Sequence, residues 1–201
     1  MFGKFLSKIL RHDPAHIGVE IDEQGWVDID LLISSACDRG YLISYETLIK
    51  VVENSGKQRF ALNNIRTRIR ANQGHSISLK MDFEEKSPPK VLYHGTSKEA
   101  CISILDVGIL KMSRQYVHLS NGVQLANRVG DRSINPTLLL IDAASMQKDG
   151  FTFYISKNGI WLVDHVPPIY ISKLQFLNSK AKSNRSKKDY VCLLYTSDAA
   201  D

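Results

Sequence analysis

Nine residues, Asp82-Phe-Glu-Glu-Lys-Ser-Pro-Pro-Lys90, constrain this chain more than any others. Charged and carrying two adjacent prolines, they read as a linker, because proline disfavours helical geometry before it and denies an N–H to a sheet. Before them the hydrophobic period is mostly helical; after them it is mostly that of strands. A chain of 201 residues can hold two lobes of that size. The reading is therefore an α+β protein with one lobe over 1–81, a linker over 82–90 and a second lobe over 91–177.

In the first lobe, Phe2, Phe5, Leu6, Ile9 and Leu10 recur at spacings of three and four, which marks one helix face. That helix is expected to stop near Arg11-His12-Asp13-Pro14. Val27–Cys37 reads as a second helix, with Asp28 or Asp30 as cap and Gly40 as stop. Ser44 caps a third, running to Asn54-Ser-Gly56. Phe60–Leu62, a turn at Asn63-Asn64, and Ile65–Ala71 then read as a hairpin. On its second arm Arg66, Arg68 and Arg70 are expected on one side, opposite Ile65, Thr67, Ile69 and Ala71. Three short helices and a hairpin make a winged-helix lobe.

The second lobe reads as strands at Val91–His94, Tyr116–Leu119, Thr137–Ile141, Thr152–Ile155, Ile160–Val163 and Ile169–Ile171. Helices are expected at Lys98–Leu105 and Gly122–Val129. Residues 178–191 form a basic tail. The last ten residues, Cys192-Leu-Leu-Tyr-Thr-Ser-Asp-Ala-Ala-Asp201, are those that a sequencing-library adapter would encode, and the expectation is that they are foreign to the fold.

Charge narrows the function. The net charge is only +5, yet no acidic residue lies from Lys57 to Met81, while Lys57, Arg59, Arg66, Arg68, Arg70 and Lys80 do. A local basic face in nearly neutral surroundings fits a phosphate site better than a surface that coats DNA. No apolar run is long enough to span a bilayer and no signal peptide is read, so a cytoplasmic protein is expected. Three cysteines without CxxC spacing suit a reducing compartment, with Cys37 and Cys101 expected as buried thiols. HExxH, CxxC and acidic clusters are missing, so no metal site is read. Neither GxGxxG after a strand, nor a P-loop, nor GxSxG occurs. Spacing alone leads to two lobes, an anion site and no protein nucleophile.

Six blocks carry a resemblance: Leu6-Ser-Lys-Ile-Leu-Arg-His-Asp-Pro14, Gly25-Trp-Val-Asp28, Ile69-Arg-Ala-Asn-Gln-Gly-His-Ser76, Leu92-Tyr-His-Gly-Thr96, Val117-His-Leu-Ser120 and Asn158-Gly-Ile-Trp-Leu162. In this order they closely resemble the NAD-dependent RNA 2′-phosphotransferase family, from about Phe5 to Leu174. The resemblance implies a winged-helix lobe followed by a NAD-binding lobe of the ADP-ribosyltransferase type. It implies removal of an internal RNA 2′-phosphate, as at a tRNA splice junction. That phosphate attacks the anomeric carbon of the nicotinamide ribose and expels nicotinamide. The ribose 2″-hydroxyl then attacks phosphorus, giving 2′-OH RNA and ADP-ribose 1″,2″-cyclic phosphate. The nucleophile is the substrate's own, which explains why none was found in the chain.

The resemblance also assigns residues. Arg11, His12, Arg70 and Arg132 are implied as the catalytic clamp; guanidiniums keep their charge and match phosphate oxygens in pairs. Where the family usually shows Val-Gly-x-Arg-His-Gly, this chain has Val129-Gly-Asp-Arg-Ser-Ile134, so Arg128 stands as the alternative to Arg132. His94, Gly95, Thr96, His118, Ser120, Asn158, Gly159 and Trp161 are implied for NAD. Arg66, Arg68, Gln73 and His75 are expected to face RNA. The expected partners are a 2′-phosphorylated, tRNA-like RNA and NAD, with no metal, no membrane and a monomeric state. The alternatives are an ADP-ribosyltransferase of nucleic-acid phosphates that stops after the first step, a winged-helix nucleic-acid binder without catalysis, and a defective fragment.

Overall fold

The computed structural model describes residues 2–55, 58–122 and 136–174. In chain order the elements are α1 (Phe2–Arg11), a 3-10 turn (Pro14–His16), β1 (Val27–Asp28), α2 (Ile29–Asp38), α3 (Tyr45–Glu53), β2 (Phe60–Leu62), β3 (Arg68–Ala71) and β4 (Glu84–Glu85). Then come β5 (Val91–Ser97), α4 (Lys98–Val107), β6 (Ile109–Leu110), β7 (Val117–Leu119), β8 (Pro136–Asp142) and α5 (Ala143–Lys148). β9 (Tyr154–Ile155), β10 (Trp161–Val163), β11 (His165–Val166), a 3-10 turn (Pro168–Tyr170) and β12 (Ile171–Leu174) complete the list. The protein is a mixed α and β fold whose sheets are antiparallel wherever their register is defined. No helix among the described residues is long and apolar enough to cross a membrane.

The described residues fall into two compact units, and the chain passes between them several times. The first comprises 1–86, 110–118 and 152–164. Its core joins Leu6, Ile9 and Leu10 of α1 to Leu32 and Ala36 of α2, Leu48 and Ile49 of α3, and Val27, Phe60, Ile69 and Ala71 of a three-stranded sheet ordered β1-β3-β2. Each fully buried Leu or Ile contributes about 1.5–3 kcal/mol of transfer free energy, so this cluster binds the three helices and the sheet into one core. A second sheet in this unit runs β4-β9-β10-β7 and buries Phe153, Trp161, Leu162 and Val163.

The caps explain the helix starts. Asp28 accepts hydrogen bonds from the Asp30 and Leu31 amides, and Ser44 from the Thr47 amide. Capping requires Asp28 to be extended, so the helix expected from Val27 begins at Ile29, and Val27 pairs with Ile69 instead. In the hairpin, Asn63 Oδ1 accepts from the Thr67 and Arg68 amides and Arg66 has φ 56°, so the chain turns until Arg68. Ile65, Arg66 and Thr67 therefore leave the expected strand, and only Arg68 and Arg70 share a strand face.

The second unit comprises the described residues of 87–109, 119–151 and 165–201. β5 and β8 pair antiparallel from Val91↔Asp142 to Ser97↔Pro136, and β12 lies on the other edge of β8. Leu92, Leu138, Leu139, Ile141, Ala143 and Met146 are buried. Ser97 caps α4 and Asp142 caps α5. α4 ends at Gly108, whose φ of 88° suits glycine and where a Cβ would collide with the Val166 carbonyl oxygen.

Further differences have local causes. Glu84 and Glu85 of the expected linker add an edge strand to β9. Pro168 starts a 3-10 turn through Tyr170, so the strand expected from Ile169 starts at Ile171. The strand expected from Thr152 is limited to Tyr154–Ile155. Cys101 is buried as expected, whereas Cys37 is exposed near the end of α2. The helix expected over Gly122–Val129 and the tail after Leu174 lie outside the described residues, apart from Gly122.

Asp28→Ala should cost about 1 kcal/mol through loss of the α2 cap. Gly108→Ala should cost more, since it combines backbone strain with the collision at Val166. Urea unfolding midpoints measure both, and a Gly108→Ala midpoint no lower than that of Asp28→Ala would show that Val166 does not crowd this turn.

Candidate phosphate site

A helix leaves its last carbonyls without partners. At the end of α1 the Arg11 carbonyl accepts hydrogen bonds from the Ser76 amide at 2.9 Å and the Ile77 amide at 3.4 Å. This pin brings the Arg-His pair at one end of the lobe's sequence against the Asn72–Ile77 segment that leaves β3. Pro14 forces α1 to stop, and Asp13 consolidates the stop by accepting from the His16 amide.

The Arg11 side chain lies against the backbone of Gly74, where a Cβ would sit 3.5 Å from Nη1 and 3.6 Å from Cζ. With φ at 91°, that position favours glycine on conformational grounds as well. Arg11 Nε and Nη2 are buried without a hydrogen-bond partner among the described residues. Burial, then the nearby Arg114 and Arg59 guanidiniums, lower its pKa to about 10, which still leaves it charged at neutral pH.

Arg70 is 4% exposed. Its Cζ lies 4.6 Å from the centroid of the Trp26 ring, a cation–π arrangement, and its Nη1 donates to the Gln24 carbonyl at 3.1 Å. Its Nε is buried with no partner among the described residues. Native structures rarely leave buried polar atoms unsatisfied, because each costs about 1–3 kcal/mol, and more when charged. Two arginines in this state within one unit define donors prepared for an anion.

Two histidines lie in the field of these arginines. His12 Nδ1 lies 2.9 Å from the Ser76 hydroxyl, and burial followed by Arg11 and Arg114 lowers its pKa. His75 is 2% exposed and its pKa falls to about 4, through burial first and then Arg11, His12 and Arg70. Because both Arg11 and Arg70 act on His75, it marks where their fields overlap. Gln73, Gly74 and His75 line a small concavity together with Phe83, Gln115, Tyr116, His118 and Leu162, all within the first unit. The Gln115 amide donates to the His75 carbonyl and its side chain to the Leu79 carbonyl, which fixes this wall.

The sequence-derived residues therefore separate. Arg11, His12, Arg70, Gln73, His75 and His118 belong to one unit, and three of them line the concavity. Arg66 and Arg68 are ion-paired to Glu53 at 3.4 Å and Asp22 at 2.8 Å, carboxylates supplied from outside their acid-free segment. Asn158 and Gly159 form a turn in which Ser156 Oγ donates to Asn158 Oδ1. Trp161 is a core residue of β10, and its neighbour Leu162 reaches the concavity instead. In the second unit, His94, Gly95 and Thr96 lie half-buried on β5, and Ser120 exchanges two backbone hydrogen bonds with Tyr93. Arg128 and Arg132 lie outside the described residues.

Sequence reasoning missed Arg114, Gln115, Tyr116 and Phe83. Arg114 had one available signal: it stands four residues before His118, and its Nη1 lies 3.5 Å from His118 Nδ1. Among the described residues, no three His, Cys, Asp or Glu side chains gather as a metal site would require.

Buried guanidinium donors beside histidines of lowered pKa are a chemistry compatible with an anion such as phosphate. Residues 1–165 match the RNA 2′-phosphotransferase, Tpt1 / KptA family, and the chain belongs to that family. It is 46% identical over 168 residues to a "Probable RNA 2′-phosphotransferase" of Trichormus variabilis, covering 84% of this chain and 92% of that one. Proteins of the same description from Flavobacterium johnsoniae and Pseudomonas fluorescens are each 48% identical, over 168 and 172 residues. These alignments cover 84% of this chain and 92% of the Flavobacterium protein, and 85% and 94% in the Pseudomonas case.

Imidazole titration by NMR should place His75 near pH 4 and His12 below the ordinary histidine range. Arg11→Met should raise both values, since removing a cation favours imidazolium. The depressed His75 value means that the unfolded chain binds more protons, so His75 makes stability fall as pH drops from about 6.5 towards 4. An ordinary midpoint for His75 would contradict its burial among cations.

Proposed function

We propose that the chain removes an internal 2′-phosphate from RNA by transferring it to NAD. The observation that carries this reading is the set of buried, unsatisfied donors on Arg11 and Arg70. A phosphate supplies several acceptor oxygens and negative charge to meet these donors. Family membership supports RNA as the phosphate's carrier. The succession of α1, α2 and α3 with the β1-β3-β2 sheet supports a winged-helix lobe, and the second unit is read as part of an ADP-ribosyltransferase-type lobe.

In this mechanism a phosphate oxygen bonds to the anomeric carbon as the bond to nicotinamide breaks. The vicinal ribose hydroxyl then bonds to phosphorus, and the RNA 2′-oxygen departs and takes up a proton. Arg11 and Arg70 hold the phosphate dianion and, in the second step, stabilise charge developing on its oxygens. Arg132, or Arg128, both outside the described residues, is the further arginine that the family resemblance implies for this phosphate. His12, with Nδ1 engaged by Ser76, uses Nε2 to meet the phosphate or the departing oxygen. Burial and then Arg11 and Arg114 lower its pKa; a bound dianion would offset the cationic part and favour the proton when substrate is present. Gln73 and His75 contact the RNA, with Arg66 and Arg68 as outer phosphate contacts. For NAD, the family resemblance points to His94, Gly95, Thr96 and Ser120 in the second unit and to His118, Asn158, Gly159 and Trp161 in the first.

A 2′-phosphorylated oligonucleotide incubated with the protein and NAD should give 2′-OH RNA and ADP-ribose cyclic phosphate by mass, and nothing without NAD. Arg11→Ala or Arg70→Ala should each slow turnover by roughly a hundredfold or more. Accumulated ADP-ribosylated RNA would favour a transferase that stops after the first step, and near-normal rates in both variants would refute the clamp.

A further inference from the structure

Arg70 reaches its position through a turn that the phosphate chemistry does not otherwise use. Asp22 Oδ1 accepts hydrogen bonds from the Gln24 amide at 3.0 Å and the Trp26 amide at 2.8 Å. The Asp22 amide donates to the Trp26 carbonyl and the Gly25 amide to the Asp22 carbonyl, which closes the turn on itself. Its outer edge is tied down by the Lys80 amide, which donates to the Glu23 carbonyl at 2.8 Å. From the strand that carries Arg70, Arg68 donates through Nη2 to Asp22 Oδ2 at 2.8 Å. The turn presents two groups to Arg70: the Gln24 carbonyl and the face of Trp26.

We propose that Asp22 is a positioning residue that aims the Arg70 guanidinium, with Arg68 as its brace. Burial would raise the Asp22 pKa, but the Trp26 and Gln24 amides and the Arg68 guanidinium outweigh it and hold the carboxylate below its ordinary range. It thus stays ionised at neutral pH, fixed by three donors. Arg68 and Arg70 point to the same face of β3, so the carboxylate paired with one shapes the turn that seats the other. Arg68 thereby acquires a role besides any contact with RNA.

This inference rests on the clamp role given to Arg70, and a kinetic double-mutant cycle separates the two. Asp22→Ala should lower kcat by roughly tenfold to a hundredfold, the scale of misplacing a reacting group, with less change in KM for RNA. In an Arg70→Ala background the same change should add no further loss, because Asp22 acts through Arg70. Asp22→Asn retains an acceptor for both amides and should keep most of the rate, which also guards against a poorly folded alanine variant. Arg68→Gln should give a smaller kcat loss, likewise absent without Arg70. A wild-type rate in Asp22→Ala, or an additive loss in the double variant, overturns the proposal. A near-normal rate in Arg70→Ala instead sinks the clamp itself.

Discussion

The site depends on one backbone contact: the Arg11 carbonyl at the end of α1 held by the amides of Ser76 and Ile77. Sixty-five positions of chain separate Arg11 from Ser76, with α2, α3 and the β2–β3 hairpin between them. The contact satisfies part of a helix terminus that would otherwise need water. It also sets the Arg11 guanidinium against the bare backbone of Gly74 and His12 against the Ser76 hydroxyl. The core beneath it, from Leu6 to Ile69, fixes α1 on the sheet and so fixes the direction in which its last turn ends.

Electrostatics makes this arrangement costly in the protein alone. Arg11 feels Arg114 and Arg59, and His75 feels Arg11, His12 and Arg70, so the interior of the lobe carries cations whose nearest charged neighbours are mostly alike. Arg70 is the partial exception, since Asp82 and Asp22 act on it favourably. Arg11, half-buried with Nε and Nη2 lacking partners among the described residues, bears part of this cost. The histidines reduce the strain by remaining neutral. Under the proposed function, a bound phosphate would relieve the rest.

Much of the first unit was legible because its signals are local. Pro14 ends a helix wherever it stands, Asp28 and Ser44 cap in the register that their following amides dictate, and the spacing from Phe2 to Leu10 describes a real buried face. The hairpin was legible in type but not in extent, since the Asn63 side-chain bonds that delay β3 to Arg68 cannot be read from alternation. Burial of three consecutive residues, Ile69, Arg70 and Ala71, was also hidden. It requires Trp26 and Gln24 to cover the arginine side, a tertiary event. For the same reason the acid-free run from Lys57 to Met81 overstated the unpaired charge on Arg66 and Arg68, whose carboxylates come from α3 and the Asp22 turn. In the site, residue types bearing family motifs were found, whereas Phe83, Gln115 and Tyr116 were missed, because concavity depends on non-local packing.

The most direct test of a phosphate-recognising Arg11 is equilibrium binding without NAD, comparing one oligonucleotide with and without its 2′-phosphate. The wild-type protein should hold the phosphorylated strand more tightly, and Arg11→Ala should lose most of that preference while keeping its affinity for the unphosphorylated strand. Equal affinity of the wild-type protein for both strands would contradict the account.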